Sequence, residues 1–206
     1  MTYLPHFITL AGVWVVMVIS PGPDFAVTAQ YATARSRRDG LLVALGITSA
    51  LSIWIVGSMA GMGVLLTHVS WLVTIIRALG ALYLLYLGVR TWLQARRPSV
   101  QPATITKMQH GLSAWRVGFL TNISNPKAVA FFSSLFVVLL PANPPLWVQA
   151  TSVVLMLGIA VCWFCIVACL FSLKPIRHAY SRAKRWIDYL TGGIFIALGI
   201  RLAVER

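Results

Sequence analysis

Two apolar runs in this chain, each long enough to cross a bilayer, are broken in the middle by residues that a membrane helix normally avoids. Ser20-Pro21-Gly22-Pro23-Asp24 interrupts the first, and Ser124-Asn125-Pro126-Lys127 interrupts a later one. A proline removes one backbone hydrogen bond and clashes with the preceding turn, and hydrocarbon offers no water to satisfy the freed groups. An Asp or Lys at that depth costs roughly 2.5 to 3.5 kcal/mol even on the lenient insertion scale. The breaks should therefore lie inside protein or line a polar cavity, and Asp24 and Lys127 should be paired or used. One interrupted span in each half of a membrane protein is the sequence mark of a transporter's binding site.

That the runs belong in a membrane follows from composition. Of 206 residues, 59% are hydrophobic and 10% charged, and the mean hydropathy is +0.83. A soluble core of this size would carry far more polar surface. The net charge of +13, from 17 Lys and Arg against 4 Asp and Glu, would suggest nucleic acid in a soluble protein. Here the basic residues collect in short links between apolar runs, as orientation signals do, so the expected surroundings are lipid and not nucleic acid. No Lys or Arg precedes Arg35, and Ala32-Thr33-Ala34 only imitates a cleavage site. The first segment is expected to stay in the mature protein.

The runs taken in order predict an all-α integral membrane protein of six transmembrane helices. The first spans Phe7 to Ser20 and continues from Phe25 to Ala34; the second runs from Leu41 to Leu66 and the third from Val69 to Leu93. Arg116 opens the fourth, which breaks at Asn125-Pro126 and resumes through Leu140. Trp147 to Leu173 is the fifth and Trp186 to Val204 the sixth, with a short amphipathic surface helix expected in the link between them. The links after spans one, three and five hold nearly all the loop Lys and Arg, which puts them in the cytoplasm and both termini on the other side. Three spans per half mean that the second half enters the membrane inverted. A single membrane domain results, with repeat one at about 5–93, a cytoplasmic link at about 94–114 and repeat two at about 115–206.

The repeat has an echo in the letters. Pro23-Asp24 matches Pro126-Lys127, and Leu87-Gly88-Val89-Arg90 matches Leu198-Gly199-Ile200-Arg201; in that register Ala81 matches Gly192 and Arg77 matches Asp188. Arg77 either reaches the interface by snorkelling or pairs across the repeat with Asp188. Small residues through the second span, Gly46, Ser49, Ser52, Gly57, Ser58 and Gly61, would let helices approach closely and leave room for a homodimer.

Half-helices leave unpaired N–H groups at one lip of a break and unpaired carbonyls at the other, so one lip attracts anions and the other cations. A zwitterion or an anion suits such a site. Candidate substrate-binding or coupling residues are Pro21, Gly22, Pro23, Asp24, Asn122, Asn125, Pro126 and Lys127, with Thr28, Gln30, Thr48 and Ser133 as cavity-lining residues. A hydroxyl in a membrane helix more often bonds its own backbone. Asp24 can hold a substrate ammonium, carry a proton or be the partner of Lys127; the reading taken is a pair with Lys127 that opens when substrate binds. Cys162, Cys165 and Cys169 stack on one helical face and read as packing residues. His6, His68, His110 and His178 fall at span ends or in links. No catalytic cluster, metal site or cofactor is expected, and the chain does not read as an enzyme.

At its two breaks the sequence resembles the lysine exporter superfamily, in its homoserine/threonine resistance branch. Ser20 to Asp24 and Asn122 to Ala128 carry that family's most recognisable stretches, and Gly46-Ile47-Thr48, Leu120-Thr121-Asn122, Trp186-Ile187-Asp188 and Gly199-Ile200-Arg201-Leu202 are similar to segments of that branch. The resemblance covers the whole chain. It implies a bacterial inner-membrane carrier that exports a small neutral amino acid, threonine and perhaps homoserine, with the proton gradient as driving force. An exporter of a different small amino acid or metabolite, or a channel-like facilitator of the same fold, is the alternative.

Overall fold

The computed structural model describes residues 3–68, 70–95, 113–132 and 144–204. Every regular element among them is helical. Helix α1 (Leu4–Ile19) stops where the prolines begin, its last bond running from the Ser20 N–H to the Val16 carbonyl at 3.0 Å. Helix α2 (Pro23–Ala34) starts on Pro23, whose missing N–H would have been unbonded in a first turn anyway. The axis bends by 54° between them. Ser36 opens α3 (Arg37–His68): its Oγ accepts from the Asp39 N–H at 3.0 Å and donates to the Asp39 carboxylate at 2.8 Å. Helix α4 (Ser70–Ala95) follows. Ser113 caps α5 (Ala114–Ile123) by accepting from the Arg116 N–H. Asn125 caps the short α6 (Pro126–Ala130), and α7 (Leu146–Phe171) and α8 (Lys174–Val204) complete the order.

By length and composition α3, over Arg37–Met59, and α7 can each cross a membrane, and the α1–α2 pair makes a third crossing if it counts as one span. The second break lies where expected, between α5 and α6, although the continuation of that run over 133–140 lies outside the described residues. One boundary differs. The basic stretch after the fifth run is not a separate surface helix but the opening turns of α8, which runs unbroken for 31 residues. At 1.5 Å per residue that is about 46 Å, longer than the roughly 30 Å hydrocarbon core, so its charged start can project beyond the lipid.

Glycines set the two closest helix crossings. In α3 and α5, a Cβ on Gly46 would run into the Trp115 carbonyl and the Phe119 N, and one on Gly118 into the Val43 carbonyl. Helices α4 and α8 pack along their length in the same manner. Gly88 lies against Gly192, with the Gly192 carbonyl 2.8 Å from where a Gly88 Cβ would sit, and Gly199 meets Leu85 and the Ala81 carbonyl at 2.9 and 3.1 Å. The pair is therefore antiparallel. Trp92 stacks edge-on against Tyr189 at 5.5 Å beside it.

This register bears on one of the two roles open to Arg77, the pairing with Asp188. Asp188 is buried at the Trp92 end of α4, about four turns from position 77. The two positions match in the sequence register and do not meet. The main core lies instead between α1, α3, α5, α6 and α7, on Leu10, Trp14, Val43, Ile47, Phe131, Met156 and Phe164.

Candidate functional site

The two breaks meet, and each supplies what the other lacks. Helix α1 ends with carbonyls that no further turn can use. Lys127, in the first turn of α6, sends its Nζ there, donating to the Met17 carbonyl at 2.7 Å and the Ser20 carbonyl at 3.0 Å. A cation at a helix C-terminus also complements the peptide dipoles. The ammonium lies 5.7 Å from the Phe195 ring centre, which brings α8 to the site. Gly22 leaves room for the lysine stem: a Cβ there would lie 3.6 Å from the Lys127 Cδ.

Asp24 occupies the complementary position, in the first turn of α2, where a negative charge is favoured. Its Oδ2 accepts from Asn122 Nδ2 and from Asn125 Nδ2, both at 2.9 Å. Asn125 serves both sides of the junction, since its Oδ1 accepts from the Lys127 N–H at 3.0 Å and so caps α6. Asp24 and Lys127 thus each have partners, and they are not each other. No ion pair joins them among the described contacts, so the expected direct pair is replaced by two cross-links running in opposite directions between the breaks.

Asn125→Ala separates these duties. Loss of the cap costs about 1 kcal/mol, and loss of a donor to a buried carboxylate about 1 to 3 kcal/mol more. Asn125→Ser, which can cap but is too short to reach Asp24, is expected to recover only the smaller share in thermal melting of the detergent-purified protein. A serine variant that melted with the wild type would remove the Asp24 contact from the account.

Between the breaks lies a cavity of about 30 Å³, bordered by Ser20, Gly22, Asp24, Asn122, Asn125 and Lys127 on its polar side. Its apolar wall comes from α1, α3 and α7, chiefly Trp14, Leu51 and Phe164, with Phe132 from beyond α6. Trp14 is fixed by its indole N–H, which donates to the Met156 carbonyl at 2.8 Å, and its ring packs on Phe131 and Phe132 at 5.1 and 5.7 Å. The space suits roughly one or two waters. A whole amino acid needs the walls to part.

Of the residues singled out in the sequence, Gly22, Asp24, Asn122, Asn125 and Lys127 border this cavity. Pro21 and Pro23 shape the break without lining it, and Pro126 begins α6. Among the suggested lining residues, Thr28, Gln30 and Thr48 do not. Thr28 gives its hydroxyl to the Asp24 carbonyl at 2.8 Å and Thr48 to the Ala44 carbonyl at 3.0 Å, each on its own helix. Gln30 lies further along α2, away from the cavity wall, and Ser133 lies outside the described residues. Trp14, Met17, Phe132, Phe164 and Phe195 were not legible as site residues. Met17 acts through its carbonyl, which no side-chain pattern reports, and the aromatic residues look like any buried helix face. Among the described residues no group of three or more His, Cys, Asp or Glu could hold a metal ion.

Helices broken at a shared, charged and buried junction within an apolar helical protein define a membrane translocator, and the chain belongs to the LysE type translocator family, whose model matches residues 15–206. It is thus a transporter and not an enzyme. Over 202 residues it is 33% identical to the threonine efflux protein of Escherichia coli K12, covering 97% of this chain and 98% of that one. The threonine efflux protein of Salmonella typhi is 35% identical over 203 residues, with the same coverage. A membrane protein of Escherichia coli K12, YahN, is 30% identical over 198 residues, 94% of this chain and 87% of that one. No solved structure matches.

Proposed function

We propose that this chain is a secondary carrier that exports a small neutral amino acid, threonine and with it homoserine, across the bacterial inner membrane, with protons as the coupling ion. The observation that carries the reading is the cross-linked junction. Lys127 on the Met17 and Ser20 carbonyls, and Asp24 on Asn122 and Asn125, surround one cavity. Such a junction offers both signs of charge to a zwitterion at the depth where broken helices meet. The apolar cavity wall lies close to these charges, which suits a short side chain better than a long one, and relatives of this chain are named for threonine efflux.

The architecture that goes with this reading is six spans in two inverted repeats of three, over about 5–93 and 115–206, with α1–α2 and α5–α6 as the broken spans and both termini in the periplasm. The α4–α8 contacts support it. The matching that takes Ala81 to Gly192 and Gly88 to Gly199 turns the Gly88–Gly192 contact into the Ala81–Gly199 contact. A two-fold exchange of α4 with α8 has that consequence, and equivalent helices in inverted repeats are antiparallel as these are.

The test is efflux of a labelled amino-acid panel from loaded vesicles, inverted and right-side-out, with and without a collapsed proton gradient. Saturable threonine export that stops when the gradient is removed is expected. Flux that never saturates would replace the carrier with a channel, and export of a different amino acid would replace the substrate.

A further inference from the structure

The carbonyl-bound lysine and the asparagine-bound carboxylate leave an imbalance at the junction. Asp24 Oδ1 and Asn122 Oδ1 are buried and find no hydrogen-bond partner among the described residues. Both residues border the cavity, and Asn122 is fully buried at 0% exposure. Their other polar atoms are spent on each other, Asn122 Nδ2 donating to Asp24 Oδ2 at 2.9 Å. What remains without any partner at this wall is two acceptor oxygens, one of them on a carboxylate, beside amide nitrogens that already donate to Asp24 Oδ2. A buried acceptor without a partner costs about as much as a lost hydrogen bond, so such a pair persists where a ligand completes it.

We infer that Asp24 Oδ1 and Asn122 Oδ1 are the ammonium subsite of the carrier. The inference rests on the proposed export function and assigns one end of the substrate to one wall. A primary ammonium brings several N–H donors and a positive charge, which matches two acceptors on a carboxylate and an amide. A carboxylate would meet only oxygen lone pairs here. The cavity of about 30 Å³ is of headgroup size, so the ammonium docks first and the rest of the molecule lies along Phe132 and Phe164 once the walls part. The lysine cannot fill the subsite, because its Nζ is held on the Met17 and Ser20 carbonyls. Of the roles open to Asp24, this one makes it a ligand of the cargo and not the strap of Lys127.

Two measurements on the full-length protein test this. In proteoliposomes, counterflow of labelled threonine is competed by threoninol, which keeps the amine and lacks the carboxylate, and by 2,3-dihydroxybutyrate, which lacks the amine. Threoninol is expected to compete within about tenfold of threonine, and the deaminated acid to be weaker by about ten- to hundredfold, the worth of a charge-assisted hydrogen bond. Equal competition by the two analogues would overturn the assignment. The second measurement does not need transport. Methylammonium chloride is expected to raise the melting temperature of the purified protein in detergent saturably, while sodium chloride and tetramethylammonium chloride at the same ionic strength do not. The response should vanish in Asp24→Asn and in Asn122→Leu.

A response to sodium as strong as to methylammonium, no response in the wild type, or one that survives both substitutions would sink the subsite. Methylammonium stabilisation of a protein that moves no amino acid of the panel would refute the export reading and leave the subsite standing.

Discussion

Lys127→Met is expected to reduce efflux to the background of empty vesicles while the amount of protein in the membrane stays that of the wild type. Methionine keeps the length of the side chain and removes its charge, so the Met17 and Ser20 carbonyls lose the donor that closes α1. Leaving a buried carbonyl without its donor costs about 1 to 3 kcal/mol, which should appear as a lower melting temperature in detergent. Insertion depends on the apolar runs and not on this contact, so membrane abundance is the control. Asp24→Asn is expected to stop efflux as well, because it removes the charge that Asn122 and Asn125 orient.

The double substitution is the informative one. Were Asp24 and Lys127 a direct pair, neutralising both would relieve the penalty of leaving either charge alone, and Asp24→Asn/Lys127→Met would melt near the wild type. With separate partners for each, linked through Asn125, the double variant should stay well below the wild type, with a coupling between the two sites of about 0.5 to 3 kcal/mol at most. A double variant that recovers stability would restore the direct pair and remove the cross-linked junction.

Much of this junction was legible before any coordinates. Proline and glycine report a broken helix because their covalent chemistry forbids its continuation, and the charges beside them stand out against an apolar background. Partner choice was not legible. Asn125 looks like a turn residue in the sequence, and only the folded chain shows that its Oδ1 caps α6 while its Nδ2 reaches Asp24. The hydroxyls of Thr28 and Thr48 follow the general habit of hydroxyls in membrane helices, bonding the preceding turn of their own helix and not the cavity.

The pairing of Arg77 with Asp188, one of the two roles the sequence left open, fails for a different reason. Residues that match by repeat are equivalent positions, and equivalent positions touch only where the symmetry axis passes between them. Glycine spacing carried the true register, with Gly88 set against Gly192 and Gly199 against Ala81. The length of α8 was hidden by its own basic start, because a charged run that continues a helix and one that forms a link have similar composition.

Gly46→Ala and Gly118→Ala are expected to be the most damaging single-methyl additions among the described glycines. A Cβ at Gly46 would collide with the Trp115 carbonyl and lie 2.7 Å from the Phe119 N, and one at Gly118 would collide with the Val43 carbonyl and lie 3.0 Å from its Cα. All of these are backbone atoms, so no rotamer change relieves the contact. Helices α3 and α5 must separate, at a cost of about 1 to 3 kcal/mol or more for overpacking. Helix α5 carries Asn122 at its far end, and moving it draws Nδ2 away from Asp24, which it reaches at 2.9 Å. A misplacement of about 1 Å can lower activity about a hundredfold, so efflux should fall further than stability does.

Gly158→Ala is the matched control, since nothing lies within 4 Å of the Cβ position there, and alanine favours the helix by up to about 1 kcal/mol. Melting in detergent and efflux are measured for all three. If Gly46→Ala matched Gly158→Ala in both, the close crossing of α3 and α5 would not be what holds the second break against the first.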